Sequence, residues 1–287
     1  MATGFASLTG SALFLAITTL PAAGQVVGAD VSIATQDLWR GLLRTSRPVV
    51  QADGYFSTPL GGGVRLTGGG WASWEAFGAG GTSLTSCPAL AACLAEKRAW
   101  AELDFSAGST GIYAGWIGYF DRRFRAADGI SLGPRRTTHE LMASVWFPRV
   151  YLAPRFSGYF DVDEVGGGYL ETSLGVPVLG NISARPFWAL FLTAEVGYSF
   201  EQNFDSRRPG AMFYYHDSGR LTHVDLGVGS DLPLTVGRWL SSSASVHARV
   251  AVDNAGTIHG LKSGDDGRWV VIYARMSLSA PNWKAAP

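Results

Sequence analysis

From residue 29 onward apolar and polar side chains alternate with a period of two, in runs of roughly ten residues broken by Gly, Pro, Asp and Ser clusters. In "GVRLTGGGWASWEAF", Val64, Leu66, Ala72, Trp74 and Ala76 share one face, while Arg65, Thr67, Ser73 and Glu75 share the other. "AWAELDFSAG" sets Ala101, Leu103 and Phe105 against Glu102 and Asp104. "FLTAEVGYSF" sets Leu192, Ala194, Val196 and Tyr198 against Thr193, Glu195 and Ser199. The last run opposes Val270, Ile272, Ala274, Met276 and Leu278 to Trp269, Tyr273, Arg275 and Ser277. This spacing predicts about 12 strands, over 29–39, 48–57, 63–76, 98–107, 111–121, 138–147, 150–160, 168–177, 187–199, 220–229, 240–253 and 268–279. Helical periodicity is confined to the N-terminus and the segment holding the cysteines.

The first connections between these strands run long and short in turn: 40–47 then 58–62, 77–97 then 108–110, 122–137 then 148–149. They are followed by 161–167 then 178–186, 200–219 then 230–239, and 254–267, in which the turns at 178–186 and 230–239 are longer. A sandwich also alternates along its strands, but this loop asymmetry belongs to a membrane barrel with long external loops and short periplasmic turns. Trp39, Trp74, Trp100, Trp146, Trp188, Trp239 and Trp269 fall near strand ends, where a barrel carries its interfacial aromatic girdles. The polar faces hold Arg65, Glu75, Glu102, Asp104, Glu140, Arg155, Glu171, Glu195, Asp225, Arg249 and Arg275. Such charges are too costly for a dry core, whereas in a barrel they line a wet lumen. The expectation is an all-β fold, a single transmembrane antiparallel β-barrel of about 12 strands. The sheet must close, because lipid leaves no partner for an unpaired edge.

The first residues sharpen the cellular context. An apolar core from Ala12 to Leu20, then Pro21 and the small residues Ala22, Ala23 and Gly24, reads as a secretory signal peptide over 1–24, with the barrel over 25–287. No Lys or Arg precedes that core. Downstream no apolar run reaches the roughly 18 residues of a spanning helix, so strands must do any crossing. Twenty-three basic residues balance twenty-three acidic ones, which leaves no net field to gather nucleic acid. Cys87 and Cys93 in "SCPALAAC" are the only cysteines, and in an exported chain they are expected to form a local disulfide. Two thiols without a nearby His are too few for zinc.

The stretch "ADVSIATQDLWRGLLRTSRPVVQADGYFSTPLGGGVRLTGGGWASWE" resembles the start of the TorF-type family of bacterial outer-membrane porins. The likeness lies in the triplet Trp39-Arg40-Gly41 closing the first strand, a Pro-led second strand, and a Gly-rich third strand ending in Trp71-Ala72-Ser73. "AELDFSAG" followed by "GIYAGWIGYF" extends it to Phe120. The insertion bearing Cys87 and Cys93 and the tail "SAPNWKAAP" depart from the pattern. The resemblance implies a 12-stranded barrel and a pore, with no particular solute.

Chemistry beyond a pore is sparsely signalled. His223 and Asp225 in "LTHVDLG" share one strand face and could serve a hydrolase, but no partner serine can be assigned, and a lumen hydrogen-bonded pair is the simpler reading. His247 and Arg249 form a similar pair. Asp161, Asp163 and Glu164 lack the ligand spacing of a calcium loop and read as a turn. The glycines of "TGGGWAS" do not precede a helix, so they read as strand bends or close packing rather than a phosphate loop.

The expectation is therefore an outer-membrane channel for passive diffusion of small polar solutes, with no catalytic residue, metal or cofactor. An outer-membrane hydrolase and a closed structural barrel are the alternatives. Arg65, Glu75, Glu102, Asp104, Arg155, Glu195 and Arg249 are the expected pore lining, and their mixed sign argues against strong ion selectivity. Arg40, Arg44 and Arg47 are placed in the first external loop, with Arg40 the exception that turns inward at the pore mouth and Trp39 in the girdle. The expected partners are outer-membrane lipids, lipopolysaccharide, and the barrel-assembly machinery during biogenesis.

Overall fold

A computed structural model describes residues 25–40, 42–45, 48–75, 94–122, 136–163, 167–179, 189–200, 220–236, 240–253 and 268–281, and the structural statements below concern these. The expected signal peptide over 1–24, Arg47, Cys87, Cys93, Glu164, Trp188 and Trp239 lie outside them.

Where side chains alternate, the chain is strand. In order the strands are β1 (Val26–Ala34), β2 (Asp37–Trp39), β3 (Leu42–Thr45), β4 (Val49–Gly61), β5 (Val64–Glu75), β6 (Leu94–Ala107) and β7 (Thr110–Arg122). They continue as β8 (Arg136–Trp146), β9 (Arg155–Asp161), β10 (Gly167–Leu179), β11 (Ala189–Phe200), β12 (Arg220–Val236), β13 (Leu240–Asp253) and β14 (Arg268–Pro281). From β4 to β14 each strand pairs antiparallel with its neighbour in sequence. β1 pairs with β14 along one edge and with β4 along the other, so the ring of twelve strands has no free edge.

Burial within this ring is inverted relative to a water-soluble core. Side chains alternate across the sheet, and the outward set is apolar: Val31, Ile33, Leu103, Phe105, Leu141, Leu170, Leu226 and Ile272 are all exposed. The inward set is polar, with Asp30, Ser73, Glu96, Thr138, Glu140, His223 and Asp225 all buried.

The glycine-rich runs serve two different needs. Gly61, Gly62 and Gly63 turn the chain from β4 into β5 at φ 95°, 61° and 80°, three successive left-handed positions that a Cβ would penalise. Gly69 instead makes room. A Cβ there would stand 2.6 Å from the Gly54 carbonyl oxygen and 2.9 Å from the Trp100 ring, which lies across it from the paired strand β6. "TGGGW" is thus a packing feature of the wall.

Two predicted strands need correction. The 150–160 segment begins as a strand only at Arg155. Residues 147–154 form a hydrogen-bonded turn, with Phe147 N–H donating to the Pro154 carbonyl at 2.9 Å and Leu152 and Ala153 at positive φ. The 29–39 segment is not one strand either. The wall strand stops at Ala34, where Thr35 N–H donates to Ile272 O at 2.9 Å and Thr35 Oγ1 accepts from Ile272 N–H at 3.1 Å. The chain then makes a separate two-stranded sheet, β2 with β3. Arg40, at φ 51°, follows Trp39 in the connection to Leu42, a left-handed position of the kind that tight hairpin connections require. A small apolar cluster of Ala34, Val49 and Val271, with Tyr273 packed on it, sits where the chain leaves the wall.

Gly69→Val is expected to lower stability by about 1–3 kcal/mol, because the added side chain must displace either backbone or the Trp100 ring. The urea midpoint of the protein in detergent micelles checks this.

Candidate functional site

The hairpin of β2 and β3 is the part of the chain that does not belong to the wall, and its tip meets groups on strands far away in sequence. Arg40 Nη1 and Nη2 donate to Glu140 Oε1 and Oε2, both at 2.7 Å, across a separation of 100 residues. Both side chains are almost fully buried, at 5% and 3% exposure. The geometry is the two-pronged fork that makes guanidinium and carboxylate specific for one another. Glu140 on β8 also accepts from Tyr119 Oη on β7 at 2.8 Å, which satisfies a further lone pair. Three aromatic rings take the faces of the guanidinium: Trp39 at 4.5 Å, Tyr159 at 4.3 Å and Tyr169 at 4.4 Å. Such contacts strengthen when water is excluded.

These contacts continue to either side. Trp39 meets Tyr119 edge to face with ring centroids 6.0 Å apart, and Arg98 lies over both Tyr119 and Trp71 while bonding Glu96. On the other side Tyr169 stacks parallel to His223, and His223 Nε2 is 3.0 Å from Glu195 Oε1. Gly197 leaves the space that Tyr169 Oη and the His223 ring occupy. The result is a layer of alternating charge and ring from β5 to β12, with the hairpin tip at its centre.

Next to this layer is a cavity of about 310 Å³. Asp37 and Arg40 reach it from the hairpin, Asp30, Ser32, Gln51 and Asp53 from β1 and β4, Glu195, His223 and Asp225 from β11 and β12, and Tyr273 and Arg275 from β14. Arg275 is bonded to Asp30 on the adjacent strand. Gln51 ties wall to hairpin, accepting from Ser32 Oγ at 3.3 Å and donating to Asp37 Oδ1 at 3.4 Å.

The expected lining residues separate into two groups. Arg65, Glu102, Asp104 and Arg155 lie near the end that carries the short turns. There Arg65 donates to Ser57 at 3.1 Å opposite Asp104, Arg155 donates to Ser144 at 3.1 Å and lies over Tyr113, and Asp104 accepts from Ser106 at 3.2 Å. Glu195 lines the cavity. Glu75 pairs in register with Val49 near the opposite end. Arg249 and His247 are on β13, whose side chains are outside the described set. Arg40 turns inward, and deeper than a pore mouth: its side chain is buried within the ring, while Trp39, 8% exposed, is part of the same interior layer rather than a girdle. Arg44 falls in β3. His223 shares its face with Asp225 as expected, and it is hydrogen-bonded to Glu195 on the neighbouring strand. Asp161 accepts from Thr138 Oγ1 at 2.7 Å and from its own turn at Asp163 N–H, and no group of three metal-ligating side chains occurs among the described residues.

Sequence reasoning passed over Asp30, Asp53, Glu96 and Arg98. Each follows the alternation of its strand, with Asp30 between the outward Ala29 and Val31, so the signal was present.

Removing one member of the central pair leaves the other buried without its counter-charge. Glu140→Ala is expected to cost about 3–5 kcal/mol, and the double variant Arg40→Met with Glu140→Leu to recover most of that loss. Urea midpoints of the two variants in micelles decide it; equal losses would mean that the pair does not hold the hairpin.

No family model and no curated protein matches the chain. Among solved structures it is similar to a bacterial polysaccharide outer membrane secretin, at 9% identity and TM-score 0.43 over 90% of this chain and 98% of that one. It is also similar to the CymD monoaromatic hydrocarbon channel, at 9% and 0.42 over 90% and 88%, and to outer membrane phospholipase A from Escherichia coli, at 10% and 0.37 over 96% and 98%.

Proposed function

We propose that the chain is an outer-membrane barrel acting as a narrow channel for small polar solutes, with the β2–β3 hairpin forming its constriction. The observation that carries this reading is the inverted burial: outward Leu103, Leu226 and Ile272 are exposed, while inward Glu96, Glu140 and His223 are buried. In water the outward residues would present an apolar belt without a partner, and in lipid the same belt is the expected surface. The closed ring leaves no backbone edge to the hydrocarbon. The polar cavity beside the hairpin supplies space that a hydrated solute can occupy.

A second reading is a closed, structural barrel. It is favoured by the same layer of Arg40, Glu140 and the flanking rings, because charges that satisfy each other across a lumen can lock it. The two readings differ in whether the hairpin narrows the lumen or seals it.

Leu226→Arg tests the membrane setting. At mid-bilayer an outward arginine is expected to cost about 2–4 kcal/mol, measured by the urea midpoint in lipid vesicles, whereas in a water-soluble barrel an exposed site would shift by only about 0.5 kcal/mol. Planar-bilayer recording tests the channel. The wild-type protein is expected to show small unitary currents, and a variant lacking residues 37–45 larger ones. Silence from both would leave the closed barrel as the surviving reading.

A further inference from the structure

We propose that the cavity beside the hairpin binds a neutral polyhydroxylated solute of the size of one sugar ring; this rests on the channel reading above, for which it names the solute class. The stretch of wall formed by β14, β1 and β4 is graded along its strands. At one level Ala34 stands in register with Val49 and Tyr273, and with Val271 these make the apolar cluster. Two residues along, Ser32 stands between Gln51 and Arg275, and two further on Asp30 stands opposite Asp53. Ala34, Val271 and Tyr273 line the cavity together with Ser32, Gln51 and Asp53. An apolar, partly aromatic patch thus borders the same space as hydroxyl, amide and carboxylate groups.

A sugar ring is divided in the same way, with C–H groups over its face and hydroxyls around its edge. Each hydroxyl both donates and accepts, so a wall that offers both roles suits it. Two acceptors of this wall, Gln36 Oε1 and Asp53 Oδ1, are buried with no hydrogen-bond partner among the described residues, and both side chains line the cavity. A buried acceptor without a donor is costly, and a solute hydroxyl supplies that donor. The charges around the cavity disfavour an ion. Arg275 is matched by Asp30, Arg40 by Glu140 and His223 by Glu195, so a charged solute meets both signs at once and competes with pairs already made. At about 310 Å³ the cavity stands at the lower end of ligand pockets, room for one ring rather than a chain of them.

The test is saturation-transfer NMR of D-glucose with the full-length protein in micelles, beside the swelling of proteoliposomes in D-glucose. Saturable binding with a dissociation constant on the order of 1 mM is expected, the affinity of a small ligand that gives up hydrogen bonds to water. Gln36→Leu is expected to weaken binding about fivefold, the scale of one hydrogen bond, without lowering the urea midpoint, because the acceptor it removes has no partner in the described protein. Lysine hydrochloride and sodium glutamate are expected not to displace the sugar. Binding that is absent, unchanged in Gln36→Leu, or displaced by either charged solute would overturn the sugar site. Swelling in glucose without saturable binding would leave the channel in place and overturn this inference. Saturable binding without swelling would keep the site and overturn the channel.

Discussion

A guanidinium and a carboxylate that meet inside a ring of strands determine how the rest of this interior is arranged. Arg40 and Glu140 are held in a two-pronged contact at 2.7 Å with almost no exposure to water. Desolvating both charges consumes much of what their attraction returns, so such a pair contributes more to where the hairpin sits than to net stability. Its neighbours follow from the same requirement. Tyr119 supplies the additional donor that Glu140 needs, and Trp39, Tyr159 and Tyr169 cover the guanidinium faces, where water would otherwise be required.

The wall makes that interior possible. Closure of β1 onto both β14 and β4 satisfies the backbone around the ring, so side chains are free to be apolar outside and polar inside. The inward carboxylates on neighbouring strands are then brought side by side. Glu195 and Asp225 stand opposite each other in the β11–β12 register, and Asp30 and Asp53 do so in the β1–β4 register. A sheet that placed these faces in solvent would dilute the same charges into bulk water, where they would create little local field.

Much of the wall was legible in the chain. The period-two runs locate most strands of the ring to within about four residues, although β12 runs seven residues past its expected end, and assign Glu102, Asp104, Glu140 and Glu195 to the polar face. The first run was misleading for a physical reason. Alternation does not change at Ala34, yet Thr35 ends the wall strand by pairing with Ile272, more than two hundred residues away. A local pattern cannot carry that information. The candidate site was legible only in part: the tripeptide Trp39-Arg40-Gly41 drew notice as the close of the first strand, and Glu140 as an inward charge, but nothing local joins them. His223 was seen with Asp225, its neighbour on the strand, while its bond goes to Glu195 through the β11–β12 pairing.

Sequence by itself determined the all-β character, the apolar and polar faces, and the inventory of charges available to the interior, because strand periodicity is a property of successive residues. Tertiary structure alone decided that the β2–β3 hairpin enters the ring, that Arg40 is matched by Glu140, and that the carboxylates of five separate strands share one cavity. Those outcomes depend on register and closure, which bring together side chains up to a hundred or more residues apart and exist only once the ring is formed.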